Sequence, residues 1–170
     1  MPMNVMKRRT TFHAQRTEPA VTVHVQIASR AADIPAARHI RRWARAALAG
    51  RRSQAEVTVR VVGENEGRQL NKRWRNRPQA TNVLSFPAAH LALSPGALGD
   101  IAVCAAVVKR EAKSMGKPLA AHWAHLIIHG VLHLTGHDHV RRRDAVAMEA
   151  LEARILARLG IPDPYLVEKT

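Results

Sequence analysis

The sequence predicts one α+β domain, a four-stranded mixed sheet packed with about five helices. Length is the first reason: 170 residues suit a single domain with a sizeable core, and no internal repeat or central linker divides them. The order of hydrophobic periods is the second, reading strand, helix, strand, helix, two strands and then three helices. The third is the stretch Leu119 to Thr135, apolar on most sides, which must be buried and is expected to pack against the sheet.

The elements follow in order. Residues 1–19 are basic, with no acid before Glu18, and read as a flexible extension ahead of a domain spanning 20–170. They lack the apolar core of a secretory signal, and the absence of serine argues against an organelle transit peptide. Val21–Ile27 alternates apolar and polar residues, the pattern of a half-buried strand. Asp33 can cap the next helix with Pro35 in its first turn. That helix runs to about Ala49, with Ile34, Ala37, Ile40, Ala44 and Leu48 inward and Arg38, Arg41, Arg42 and Arg45 largely outward.

Glu56–Val62 alternates again and gives a second strand. Asn65–Arg75, with Leu70 and Trp74 four apart, is a short amphipathic helix. The turn-prone Asn76-Arg77-Pro78 leads to Asn82–Phe86, a third strand stopped by Pro87. Ala88 to Gly99 reads as a loop, and Asp100–Cys104 as a short fourth strand. Helices follow at Ala105–Met115, Leu119–Thr135 and Arg141–Leu159.

The end of the helix Leu119–Thr135 and the turn after it read His129-Gly130-Val131-Leu132-His133-Leu134-Thr135-Gly136-His137-Asp138-His139. His129 and His133, four apart, stand one above the other on a helix face and can reach one ion. Gly136 can end the helix in a left-handed conformation and let the chain turn back. Either His137 or His139 can then supply a third ligand, and a His125/His129 pair is also geometrically open. Six of the 10 histidines fall between His122 and His139, so some are bystanders. Three neutral imidazoles leave one position of a zinc ion for water, as in catalytic sites. Gly130 stands where His-Glu-x-x-His peptidases carry their general base, which disfavours a peptidase.

Charge narrows the partners. Lys+Arg 27 against Asp+Glu 13 gives +14, which suits a polyanion such as nucleic acid. Aromatic residues are only 4%, too few for an extended stacking platform. One cysteine, Cys104, fits a reducing compartment, and no apolar run is long enough for a membrane span.

Three stretches together resemble the YbeY family of metal-dependent endoribonucleases that mature ribosomal RNA. They are Leu70-Asn71-Lys72-Arg73-Trp74-Arg75, Thr81-Asn82-Val83-Leu84-Ser85-Phe86-Pro87, and His129 through His139, with Leu98-Gly99-Asp100-Ile101 a weaker fourth. Their order and separations match, so the likeness spans roughly Val21 to Leu159. The last stretch is similar to the family signature His-Gly-x-Leu-His-Leu-x-Gly-(Tyr or His)-Asp-His. One departure is that Pro78, Gln79 and Ala80 stand where the family usually has Asp-x-Pro.

The resemblance implies a zincin-like metal-binding helix, one zinc ion per chain on His129, His133 and His139, and a role for Arg75 in the active site. His137 falls where the family often has tyrosine, which favours His139 as third ligand. Also implied are cleavage of single-stranded RNA, maturation of the 3′ end of small-subunit ribosomal RNA, ribosome quality control, the small subunit and its assembly factors as partners, and the cytoplasm. The general base is open between water activated at the ion and His137. Asp138 either orients a ligand imidazole or caps the last helix, and His125 is a further candidate for holding a ligand in place. Thr81, Asn82 and Ser85 either hydrogen-bond substrate at the sheet edge or are plain turn and strand side chains. The rival reading is a ribosome-assembly or RNA-binding factor with a structural ion.

Overall fold

The computed structural model describes residues 21–88, 96–137 and 139–166. The basic extension, Asp138 and most of the segment read as the 88–99 loop lie outside the described residues. The elements are β1 (Val21–Ile27), α1 (Ala37–Leu48), β2 (Ala55–Val62), α2 (Glu64–Arg75), β3 (Val83–Pro87), β4 (Ala97–Cys104), α3 (Ala105–Ser114), α4 (Leu119–Leu134) and α5 (Arg142–Arg158).

The four strands form one mixed sheet in the order β1-β2-β4-β3. β1, β2 and β4 run parallel, and β3 pairs antiparallel with β4 as an edge strand. Strand alternation sorts the two faces. Val57, Val59, Val61, Val83, Ile101 and Val103 point to the main core, which α1 and α4 cover. Val62, Leu84, Ala102 and Cys104 point to a smaller cluster under Leu70 of α2.

α4 is the central helix. Trp123, Ile127, Ile128, Val131 and Leu132 are each at most 1% exposed, and each fully buried apolar side chain of this size contributes about 1.5–3 kcal/mol. Gly130 makes the close packing feasible: a Cβ there would lie 3.0 Å from Val83 Cγ2 and 3.3 Å from Ile101 Cγ2. The position that lacks the peptidase glutamate therefore faces β3 and β4, where even a methyl would press on Val83 and Ile101.

Three expectations need correction. Asp33 does not cap α1, whose N-cap position is Ala36 without a side-chain bond; its carboxylate pairs instead with Lys109 at 2.8 Å. β4 begins at Ala97 rather than Asp100, because register with β2 extends back through Gly99 and Ala97. Trp74 is 61% exposed, since α2 ends at the sheet margin and only Leu70 of the pair reaches the apolar cluster. Arg41, of the outward arginines, donates to the Val23 carbonyl and so ties α1 to β1. No helix among the described residues is long and apolar enough to cross a membrane.

Candidate metal centre

The C-terminal end of α4 carries His129 and His133 on one face, and the helix stops just beyond them. Gly136 adopts φ +92°, the conformation that lets a chain leave a helix and reverse. The His137 amide closes back on the Leu132 carbonyl at 3.1 Å. This reversal returns His139 to the helix face, with ring centroids 4.8 Å from His133 and 5.6 Å from His129.

A metal ion fits these residues. His129, His133 and His139 each offer a ring nitrogen, all within 4.8 Å of one another. The Nε2 atoms of His129 and His133 are 3.0 Å apart, close to the roughly 3.3 Å between nitrogens around a tetrahedral zinc with bonds of 2.0–2.1 Å. Imidazole donors also suit several other transition metals.

Behind His129 lies a residue that the sequence reading did not single out. Glu152 of α5 is 0% exposed, and its Oε1 is 2.6 Å from His129 Nδ1. Its Oε2 accepts from His125 Nε2 at 3.1 Å and from the Tyr165 hydroxyl. Burial pushes this carboxyl up, but the hydrogen bonds from His125, His129 and Tyr165 outweigh it and hold the group at about 2. Burial and then the same hydrogen bond push the Tyr165 hydroxyl up.

An ionised carboxylate only accepts, so His129 must carry its proton on Nδ1, which leaves the Nε2 lone pair facing His133. His125, His129 and Glu152 also lie within metal-ligand distance of one another. Their contacts, however, are N–H donors on one fully buried carboxylate. His125 thus turns its Nε2 to Glu152 and meets the His129 ring edge-on, with centroids 6.2 Å apart.

An open cleft runs from this cluster to the β3 edge, lined by Arg75, Asn82, Val83, Ser85, Pro87, His129, His133, Gly136, His137, His139 and Val140. Arg75, the last residue of α2, has no carboxylate within ion-pair distance among the described residues. His137 Nδ1 is 3.0 Å from Thr135 Oγ1. That hydroxyl already gives its proton to the Leu132 carbonyl, so His137 donates from Nδ1 and keeps its Nε2 lone pair.

The sheet-edge residues carry internal bonds. Ser85 Oγ donates to the Gly130 carbonyl at 3.0 Å, and Asn82 Nδ2 donates to Glu111 at 3.1 and 3.2 Å. Glu111 in turn accepts from His122 at 2.8 Å. Burial pulls His122 below its usual value, against the opposing pull of Glu111. Thr81 is half-buried just before β3 and does not line the cleft.

Imidazoles converging from a helix and its following turn, beside a guanidinium that lines the same open cleft, are the build of a metal-dependent hydrolase. Known proteins narrow that class. A family model described as Endoribonuclease YbeY matches residues 24–160, and the chain belongs to this family. A protein of Stutzerimonas stutzeri named Endoribonuclease YbeY is 51% identical over 147 residues, covering 85% of this chain and 91% of the relative. Another so named, from Alkalilimnicola ehrlichii, is 49% identical over 160 residues, covering 89% and 95%. The solution structure of a Thermotoga maritima protein shares the fold at TM-score 0.56 and 19% identity, covering 86% of this chain and all of that one.

Proposed function

We propose that the cleft is the centre of a zinc-dependent endoribonuclease that cuts single-stranded RNA during ribosomal RNA maturation. The observation that carries this reading is the Glu152-anchored convergence of His129, His133 and His139 at a cleft that Arg75 also lines. Family membership supports the reaction, since the relatives are named as endoribonucleases. The net charge of +14 supports a polyanionic substrate.

When bound, the ion supplies Lewis acidity and a water of lowered pKa. The rest falls to side chains. Arg75 grips non-bridging phosphate oxygens with its planar fork and stabilises the charge that gathers there during attack. His137, with its Nε2 lone pair available, takes the proton of the attacking water and returns it to the sugar oxygen that leaves as its bond to phosphorus breaks. Glu152 keeps the Nε2 lone pair of His129 turned toward the ion. Asn82 and Ser85 shape the cleft wall through their bonds to Glu111 and Gly130, and Asp138 lies outside the described residues. The small ribosomal subunit and its assembly factors are the expected macromolecular setting, in the cytoplasm. A structural ion in a non-cleaving RNA-binding factor would call for a closed ligand shell, and the three candidate ligands among the described residues at the cleft support the open, catalytic reading instead.

The test is metal content by mass spectrometry on protein purified without chelator, beside cleavage of single-stranded RNA. The expected result is about one equivalent of zinc, lost with cleavage in His133→Ala, while Arg75→Ala loses cleavage and keeps metal and fold. Metal without cleavage under any condition would overturn the nuclease reading, and a well-folded protein without metal would overturn the site.

A further inference from the structure

The chain has three tryptophans. Trp43 and Trp123 are buried, at 7% and 1% exposed, and Trp74 stands out at 61%. Its indole meets the Phe86 ring edge-on, with centroids 5.6 Å apart. Arg73 lies over the indole, its Cζ 5.5 Å from the ring centroid. Phe86 is anchored beneath in the smaller apolar cluster.

The ring pair lies in a groove on the sheet face opposite the main core. Arg75, Ser85 and Pro87 line both this groove and the metal cleft, so the two meet across the β3 edge. Residues 67–99 contain no acid but hold Arg68, Lys72, Arg73, Arg75 and Arg77. Acids line the remaining groove: Glu66 is paired with Arg60, Glu56 with His24, and Asp100 is in register with Phe86. Phosphate is therefore favoured along the arginine side and repelled near Asp100, the groove acid with no ion-pair partner among the described residues.

We propose that Trp74 and Phe86 form a stacking subsite for one base of single-stranded RNA, next to the phosphate held at Arg75. The inference rests on the nuclease reading of the adjoining cleft and adds where the strand goes when it leaves. With Arg73 over one face of the indole, the exposed ring has its other face to offer a base, and a stack of this kind is sequence-tolerant. Bases in a duplex already have both faces covered by their neighbours. The subsite therefore favours unpaired RNA by what it requires rather than by reading sequence.

All three indoles emit, but only Trp74 is open to contact with a base, so its signal is the part of the intrinsic fluorescence that RNA quenches and that Trp74→Phe removes. Full-length, metal-loaded protein is titrated with a short single-stranded RNA, an abasic ribose-phosphate chain of the same length, and a duplex. The expected result is quenching by the single strand and far weaker binding of the other two. Trp74→Phe should lose the quench and keep most of the affinity. Trp74→Ala should weaken binding by about five- to 150-fold, the range of one base–aromatic stack, with a matching rise in KM for single-stranded substrate.

An unchanged Kd and KM in Trp74→Ala, with wild type still cutting RNA, would overturn the subsite alone and leave the ring pair to a protein partner. Equal binding of the abasic chain would overturn it as well. Wild-type protein that neither binds nor cuts RNA would overturn the nuclease reading first and the subsite with it.

Discussion

Replacing Glu152 by glutamine keeps its shape and removes its charge, which tests whether this carboxylate holds the metal centre together. The native group is fully buried and accepts from His129, His125 and Tyr165. A hydrogen bond to a charged group is worth about 1.5–3 kcal/mol. In Glu152→Gln one amide oxygen can still accept from His129, but the amide nitrogen then confronts two donors, His125 Nε2 and the Tyr165 hydroxyl. Disrupting one member of a buried charged network costs about 3–5 kcal/mol, a large part of the 5–15 kcal/mol that stabilises a typical domain. At the ion, weakening a carboxylate behind a ligand imidazole costs about 10- to 100-fold in affinity. Denaturant unfolding with chelator present measures the first loss, and competition titration against a chromophoric chelator measures the second. Tyr165→Phe, which leaves the His129 bond intact, should lose less affinity than Glu152→Gln. Metal affinity unchanged in Glu152→Gln would refute the anchoring role, whatever happened to stability.

Two further outcomes test the packing around the site. Gly130→Ala gains about 1 kcal/mol of helix propensity, but its methyl would press on Val83 and Ile101 at about 1–3 kcal/mol; a lowered denaturation midpoint is expected, and a raised one would refute the close approach of α4 to the sheet. His122 is depressed by burial, so the folded state favours the neutral ring. The stability it contributes is complete above its unfolded value of about 6.5 and is lost as pH falls through the lower folded value. Unfolding measured across that window should show a shallower pH dependence in His122→Gln, which keeps a donor toward Glu111; an identical slope would show that another group titrates there.

The frame of the molecule was legible because its signals are local. Alternating valines marked β1 and β2, and the histidine spacing with Gly136 marked the end of α4 and the return of the chain. What stayed hidden depends on partners distant in sequence. Asp33 has the chemistry of a helix cap, but Lys109, far along the chain, takes its carboxylate. β4 starts inside a segment rich in turn residues, where pairing with β2 overrides local preference. Glu152 could have been found: Met148, Leu151, Ile155 and Leu156 form the buried stripe of α5, and an acid within that stripe needs a partner. The four-residue spacing puts Trp74 on the same helix face as Leu70, and only the position of α2 at the sheet margin reveals the indole as surface.

The order of elements along the chain has a consequence for biosynthesis. α4 covers the main sheet face and is the penultimate helix. A nascent chain therefore leaves the part of that face not covered by α1 exposed until residues 119–134 emerge, and the step that hides it also sets His129 and His133 one turn apart. Small zinc-dependent folds need the ion to gather their ligands. Here core closure would deliver two of the proposed ligands already spaced, and the residues that follow bring the proposed third, His139, and the carboxylate of Glu152 behind His129. A ribosome stalled before α4 would thus hold a chain exposed to aggregation and lacking its ligands at the same moment, so quality control that detects the one defect also removes the other.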